Sequence, residues 1–148
     1  MKKVKTRDRI LDTSLLLFNS LGEPNVTTLL ISDELEISPG NLYYHFKGKE
    51  ALLEALVDDF LLSTHSLLVS PEEPDDASPD DLWLLLHLLF EAIATHRFLF
   101  QDLSNLMGRY PFLRHAMRPW LAALRSRLRA EEAAHDETRR LLEEARAR

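Results

Sequence analysis

The sequence contains no cysteine among its 148 residues, which excludes a disulfide framework, thiolate catalysis, thiol redox sensing and Cys-ligated zinc. No apolar run reaches the roughly 18 residues of a membrane span. Lysine is absent beyond residue 49. The strict apolar–polar alternation of strands is missing, and so is any internal repeat. No two of the six histidines stand four residues apart, and no carboxylate cluster joins them, so no metal site is expected. No Ser/His/Asp order, paired carboxylates or glycine-rich phosphate loop stands out, so neither an enzyme nor a cofactor is expected. The start, Met1-Lys2-Lys3-Val4-Lys5, has charge without an apolar stretch behind it and does not read as a secretory signal. A soluble, cytoplasmic globular protein is the expectation.

What is there begins with charge. Eighteen basic and 24 acidic groups give a net charge of -6, which by itself argues against a nucleic-acid partner. The average hides a partition. Residues 1–49 hold seven basic and six acidic groups, and residues 50–148 hold 11 and 18. All five lysines lie in the first part, three of them in the first five residues together with nearby Arg7 and Arg9. Residues 70–81 carry six acids, three prolines and no base, and read as a linker. Sign asymmetry of this kind says more about partners than the total does.

Helical signals dominate, and the expected class is all-α. Ile10, Ser14, Leu17, Phe18 and Leu21 share one face of a helix that Gly22 ends. Glu23-Pro24-Asn25 reads as a connector. Thr27 or Thr28 caps a second helix through Leu35. Ser38 as cap and Pro39 at the first helical position open a third, to Phe46. Gly48 interrupts, and a longer helix begins near Lys49 with Leu52, Leu53, Leu56, Val57, Phe60 and Leu61 inward. Ser78-Pro79-Asp80-Asp81 reads as a further helix start, followed by one helix from Leu82 to Phe100. Gly108 and Pro111 punctuate, another helix runs from Phe112 to Leu128, and residues 131–148 form a charged, poorly amphipathic tail. Domains are therefore expected at 1–48 and 49–148.

Three short helices with a tight turn at Glu36-Ile37 have the shape of a helix-turn-helix. The third helix turns Leu42 and Phe46 inward, which leaves Pro39, Gly40, Asn41, Tyr43, Tyr44 and His45 outward. That surface has flat groups and hydrogen-bonding groups but no ordinary solubilising charge. Gly40 permits close backbone approach to a groove, Asn41 can pair with an adenine edge, and the tyrosines and histidine can donate to phosphates. Lys47 and Lys49 flank the start of the fourth helix, where the dipole disfavours cations. An incoming phosphate would resolve that anomaly.

Asn25-Val26-Thr27-Thr28, followed by the run from Ile37 to Leu52 (ISPGNLYYHFKGKEAL), resembles the DNA-binding domain of TetR/AcrR-type transcriptional repressors over about residues 6–60. The resemblance implies an all-α dimer: an N-terminal three-helix helix-turn-helix reader, then a helical body that dimerises and binds a small effector. It implies base contacts from Pro39, Gly40, Asn41 and Tyr44, and phosphate contacts from Thr28, Ser38, Tyr43, His45 and Lys49. The basic arm (Lys2, Lys3, Lys5 and Arg7) would add phosphate or minor-groove contacts. The segment Phe98–Leu103 with Tyr110-Pro111 is more loosely similar to effector-domain sequence. Two departures stand out. Glu36 occupies a turn position that is usually glycine, and the chain is short for the family's two long dimer helices, so it is either C-terminally truncated or dimerises another way.

Seven of the 12 aromatics fall between Trp83 and Trp120. An effector pocket among them would draw on Trp83, His87, Phe90, Phe100, Gln101 and Tyr110. The function expected is that of a homodimeric repressor on a near-palindromic double-stranded operator, released by a small hydrophobic effector. The alternative is a helical protein-interaction module that keeps the reader fold with weak or no specific DNA binding.

Overall fold

The computed structural model describes residues 5–69 and 79–147, the side chains of 79–81 excepted. Its helices are α1 (Thr6–Leu21), α2 (Thr28–Glu34), α3 (Pro39–His45), α4 (Lys49–Leu68), α5 (Pro79–Thr95), α6 (Arg97–Gln101), α7 (Leu103–Arg109) and α8 (Pro111–Arg146), with one 3-10 turn at Glu23–Asn25. No strand occurs among the described residues, and the class is all-α.

Local signals place the first four helices. In α1, Ile10, Ser14 and Phe18 are buried, and Gly22 at φ 80° ends the helix by donating its N–H to the Phe18 carbonyl at 3.0 Å. Thr27 is the cap of α2: its hydroxyl accepts from the Leu30 N–H at 3.1 Å. Ser38 caps α3 in the same way, accepting from Asn41 N–H at 3.1 Å, with Pro39 at the first helical position. Each cap satisfies one otherwise orphaned backbone donor. Gly48, at φ 119°, makes the turn into α4 in a conformation costly for other residues.

One core runs through the described molecule, from Ile10 and Phe18 of α1 through Ile31, Leu42 and Phe46 to Leu99, Met117 and Trp120. The central element is α4, which packs on α1, α5 and α8. Its Phe60 is fully buried, with ring centroids 5.2 Å from Phe100, 5.1 Å from Trp120 and 5.5 Å from His96. The Trp120 indole N–H donates to the Thr64 hydroxyl at 2.8 Å, so burial leaves neither group unpaired.

Three boundaries differ from the sequence reading. The helix expected over Leu82–Phe100 breaks at His96, whose backbone leaves the helical region (φ -110°, ψ 39°). Asn19 of α1 holds that break open: its amide donates to the Thr95 carbonyl at 2.8 Å and accepts from Phe98 N–H at 3.0 Å. Gly108 lies inside α7, and the chain turns instead at Tyr110, before Pro111 opens α8. Finally, α8 does not stop at Leu128 but runs through Pro119 and the charged tail to Arg146. The tail is rich in Ala, Glu, Arg and Leu; Glu131 at its start is buried and paired with Arg127, and beyond it propensity with exposed side-chain pairs such as Arg140–Glu137 at 2.7 Å sustains the helix. The expected cap at Ser78 and the linker over 70–78 lie outside the described residues; α5 begins at Pro79.

Candidate nucleic-acid interface

The turn from α2 into α3 is a Schellman-type helix end. Glu36 N–H donates to the Asp33 carbonyl at 3.1 Å, and Ile37 N–H to the Ser32 carbonyl at 3.0 Å. This pattern needs a left-handed residue at Glu36, and its φ is 54°. The fold therefore carries a non-glycine residue in a conformation that costs about 1 kcal/mol. Glu36 is exposed, two residues before α3 begins at its Ser38 cap.

The turn presents α3 with Leu42 and Phe46 buried beneath it. Ser38, Pro39, Gly40 and Asn41 are exposed, His45 is half-buried, and Tyr43 and Tyr44 are 57% and 77% exposed. A Cβ added to Gly40 would meet only the Ser38 hydroxyl, at 4.0 Å. Packing within the chain does not require glycine there, although glycine weakens a helix. The Lys47 ammonium lies 4.4 Å from the centroid of the Tyr43 ring, a cation–π pair at the end of the face. Tyr44 and His45 meet edge to face at 5.1 Å. Arg7, at the start of α1, covers the Phe46 ring at 4.9 Å and so ties the basic arm to the base of α3. Thr28 is half-buried as the first residue of α2. Of the arm, Lys5 is exposed, and Lys2 and Lys3 lie outside the described residues.

Lys49 is a correction. The sequence reading placed it outward, on a phosphate. Its ammonium instead turns inward, 2.7 Å from the Glu23 carboxylate and 2.6 Å from the Glu23 carbonyl. Glu23, which looked like part of a plain connector, is buried and also pairs with the Arg109 guanidinium and accepts from the Tyr110 hydroxyl at 2.7 Å. Burial pushes the Glu23 carboxyl up, but the hydrogen bonds from Lys49 and Tyr110 and the charges of Lys49 and Arg109 outweigh it and hold the group below its ordinary value. Burial and the Glu23 carboxylate raise the Tyr110 phenol to about 12. The signal that pointed to Glu23 was Lys49 itself, a cation at a helix N-terminus in need of an anion.

The six residues named for an effector pocket are not brought together. Trp83, His87 and Phe90 lie exposed on the outer side of α5, where His87 approaches Glu91 at 3.5 Å. Phe100 belongs to the aromatic core beside Phe60 and Trp120. Gln101 is exposed at the end of α6, and Tyr110 faces Glu23. The face of α5 that packs on the core carries Leu85 and Leu89 instead. Among the described residues, no three His, Asp or Glu side chains gather as a metal site, and no helix is long and apolar enough to cross a membrane.

Comparison with known proteins places this geometry. Residues 10–56 match the model of the tetR family of bacterial regulatory proteins. Residues 63–140 match the TetR model, described as a bacterial transcriptional repressor. The tetracycline repressor protein class C of Escherichia coli is 36% identical over 70 residues, 47% of this chain and 32% of that protein. A TetR-family transcriptional regulator of Marinobacter aquaeolei VT8 has a solved structure that superposes with a TM-score of 0.85 at 33% identity, over 91% of this chain and 66% of that one. Mycobacterium smegmatis AmtR superposes with a TM-score of 0.65 at 29% identity, over 90% and 65%. The match thus spans about a third of the curated relative and under two thirds or so of the solved neighbours.

Proposed function

The chain belongs to the TetR family of bacterial regulatory proteins, and on that premise we propose that it is a sequence-specific DNA-binding transcriptional regulator. Residues 1–48 are the reader, and residues 49–148 the body that dimerises and takes the effector. In a homodimer, two copies of α3 enter successive major grooves of a near-palindromic duplex, roughly 34 Å apart. Asn41 reads an adenine edge, and Pro39, Gly40 and Tyr44 contact bases. Thr28, Ser38, Tyr43, His45 and Lys47 meet phosphates, and at Lys49 the backbone N–H that opens α4 takes the place of the inward ammonium. The protein acts as a repressor in the cytoplasm. A small hydrophobic effector favours a conformation with the readers wrongly spaced, and the operator is released. α4, shared by reader and body, transmits the change.

The observation that supports this reading best is the outer face of α3. It is exposed, flat and hydrogen-bonding, and it surrounds a glycine that internal packing does not need. The test is selection of duplexes from a randomised library by the purified protein, followed by titration at several salt concentrations. Enrichment of one near-palindromic class, with affinity falling steeply as salt rises, is the expected result. Absence of enrichment, or affinity indifferent to salt, overturns it. That outcome favours the protein-interaction module, a reading that the exposed acid at Glu36 and the inward turn of Lys49 also support.

A further inference from the structure

We propose that Glu23 is a positioning residue that fastens the DNA-reading unit to the body through Lys49, Arg109 and Tyr110 and so sets the orientation in which α3 is presented; this rests on the DNA-reading function proposed above. Glu23 lies just past the end of α1, in the 3-10 turn before α2. Its partners come from two other places. Lys49 is the first residue of α4 and follows directly on the α3–α4 turn. Arg109 is the last residue of α7, and Tyr110 is the extended residue between α7 and α8. One carboxylate thus joins three chain segments, with partners 26, 86 and 87 residues away in sequence.

The charges make this joint separable. Glu23 is only 2% exposed at its side chain, so an unpaired carboxylate there would be costly. Lys49, at the junction where α4 begins, neutralises it alone. Arg109 and Tyr110 can leave without stranding a buried charge, because the Glu23–Lys49 pair survives and the Arg109 side chain, already 40% exposed, returns to water. The Asn19 clamp adds a further tie between the halves, in which Asn19 also accepts at its carbonyl from the exposed Arg97 guanidinium at 3.1 Å. A shift of the body at the α7–α8 junction therefore frees the reader at Glu23 with the carboxylate still paired to Lys49.

The test uses the absence of cysteine. Spin labels on Glu34→Cys in α2 and Arg118→Cys in α8, both exposed, report the distance between reader and body in full-length protein diluted with unlabelled chain. The variant Arg109→Met with Tyr110→Phe opens the body side of the joint and keeps the Glu23–Lys49 pair. Glu23→Gln serves as a second variant. The expected result is a distance distribution broader than wild type together with roughly tenfold weaker affinity for the duplex the wild-type protein selects, the loss expected for one hydrogen bond to a charged group. An unchanged distribution, or a broadened one with wild-type affinity, overturns the proposal. If the wild-type protein selects no duplex, the DNA-reading function fails separately, and the width of the distribution still decides the joint.

Discussion

Lys47 and Lys49 stand two residues apart and do opposite things. Lys47 lies outside, over the exposed ring of Tyr43. Lys49 turns inside, to a buried carboxylate. They mark two polar regions of different design. At the Glu23 joint, every charge meets a partner supplied by the chain. On the outer face of α3, Asn41, Tyr43 and Tyr44 are presented to solvent. Polar groups satisfied within the fold contribute stability and specify geometry. Polar groups presented on a rigid, capped helix cost the fold nothing and await a partner. Substitutions in the two regions should therefore separate, with stability moving in one and binding in the other.

The largest effect on stability is expected at the joint. Glu23→Ala leaves Lys49 and Arg109 facing each other without an anion and should destabilise the fold by roughly 2 kcal/mol, below the cost for fully buried pairs because both cations reach solvent. A lower urea midpoint checks it. On α3, Tyr43→Ala should leave that midpoint within about 0.5 kcal/mol of wild type and weaken duplex binding roughly tenfold at every sequence, with a shallower salt slope. Asn41→Ala should instead relax the choice of base at one position. If Tyr43→Ala melts the protein as Glu23→Ala does, the distinction between the regions fails.

The joint also carries a pH signature. The Glu23 carboxyl is held below its ordinary value, so its stabilisation is present above about pH 4.5 and is lost as pH falls through the lowered value. Tyr110 is raised from 10 to about 12, so its share is present below pH 10 and is lost between pH 10 and 12. Unfolding free energies measured across both windows should decline in wild type. Glu23→Gln should lack the acid branch and Tyr110→Phe the alkaline one; wild-type slopes in these variants would contradict the assignment.

How far this was legible in the sequence follows from the range of each interaction. The caps at Thr27 and Ser38, the strained turn at Glu36 and the outward set on α3 all depend on residues within five positions, and these stood out. The break at His96 did not, because the side chain that holds it, Asn19, is 76 residues from Thr95. The Glu23 joint was hidden for the same reason. The cation anomaly at Lys49 was visible, but two anions could resolve it, a phosphate or a distant glutamate, and only the fold brings Glu23 near. On α5, a sequence apolar on most sides did not say which side faced the core.

Strain at the reader turn offers a smaller, opposite effect. Glu36→Gly relieves the left-handed residue and should stabilise the fold by about 1 kcal/mol. It also removes an acid beside the proposed phosphates, so duplex affinity should rise at low salt and converge with wild type at high salt. A variant that gains stability without affinity would place Glu36 outside the electrostatic reach of the DNA.

The smallest effect separates the two regions most sharply. Gly40→Ala adds a methyl group that meets only the Ser38 hydroxyl, at the edge of contact. Nothing inside the fold resists it, and alanine in place of a helical glycine should stabilise α3 by roughly 0.5–1 kcal/mol. The same methyl group stands on the exposed face, where a groove wall would lie against the backbone. Duplex affinity should therefore fall while the unfolding midpoint rises. These opposite signs cannot come from damage to the fold, since damage lowers both. A Gly40→Ala protein that is more stable and binds the selected duplex as tightly as wild type would mean that α3 does not approach the groove at Gly40, and the outer face would lose its claim to be the reading surface.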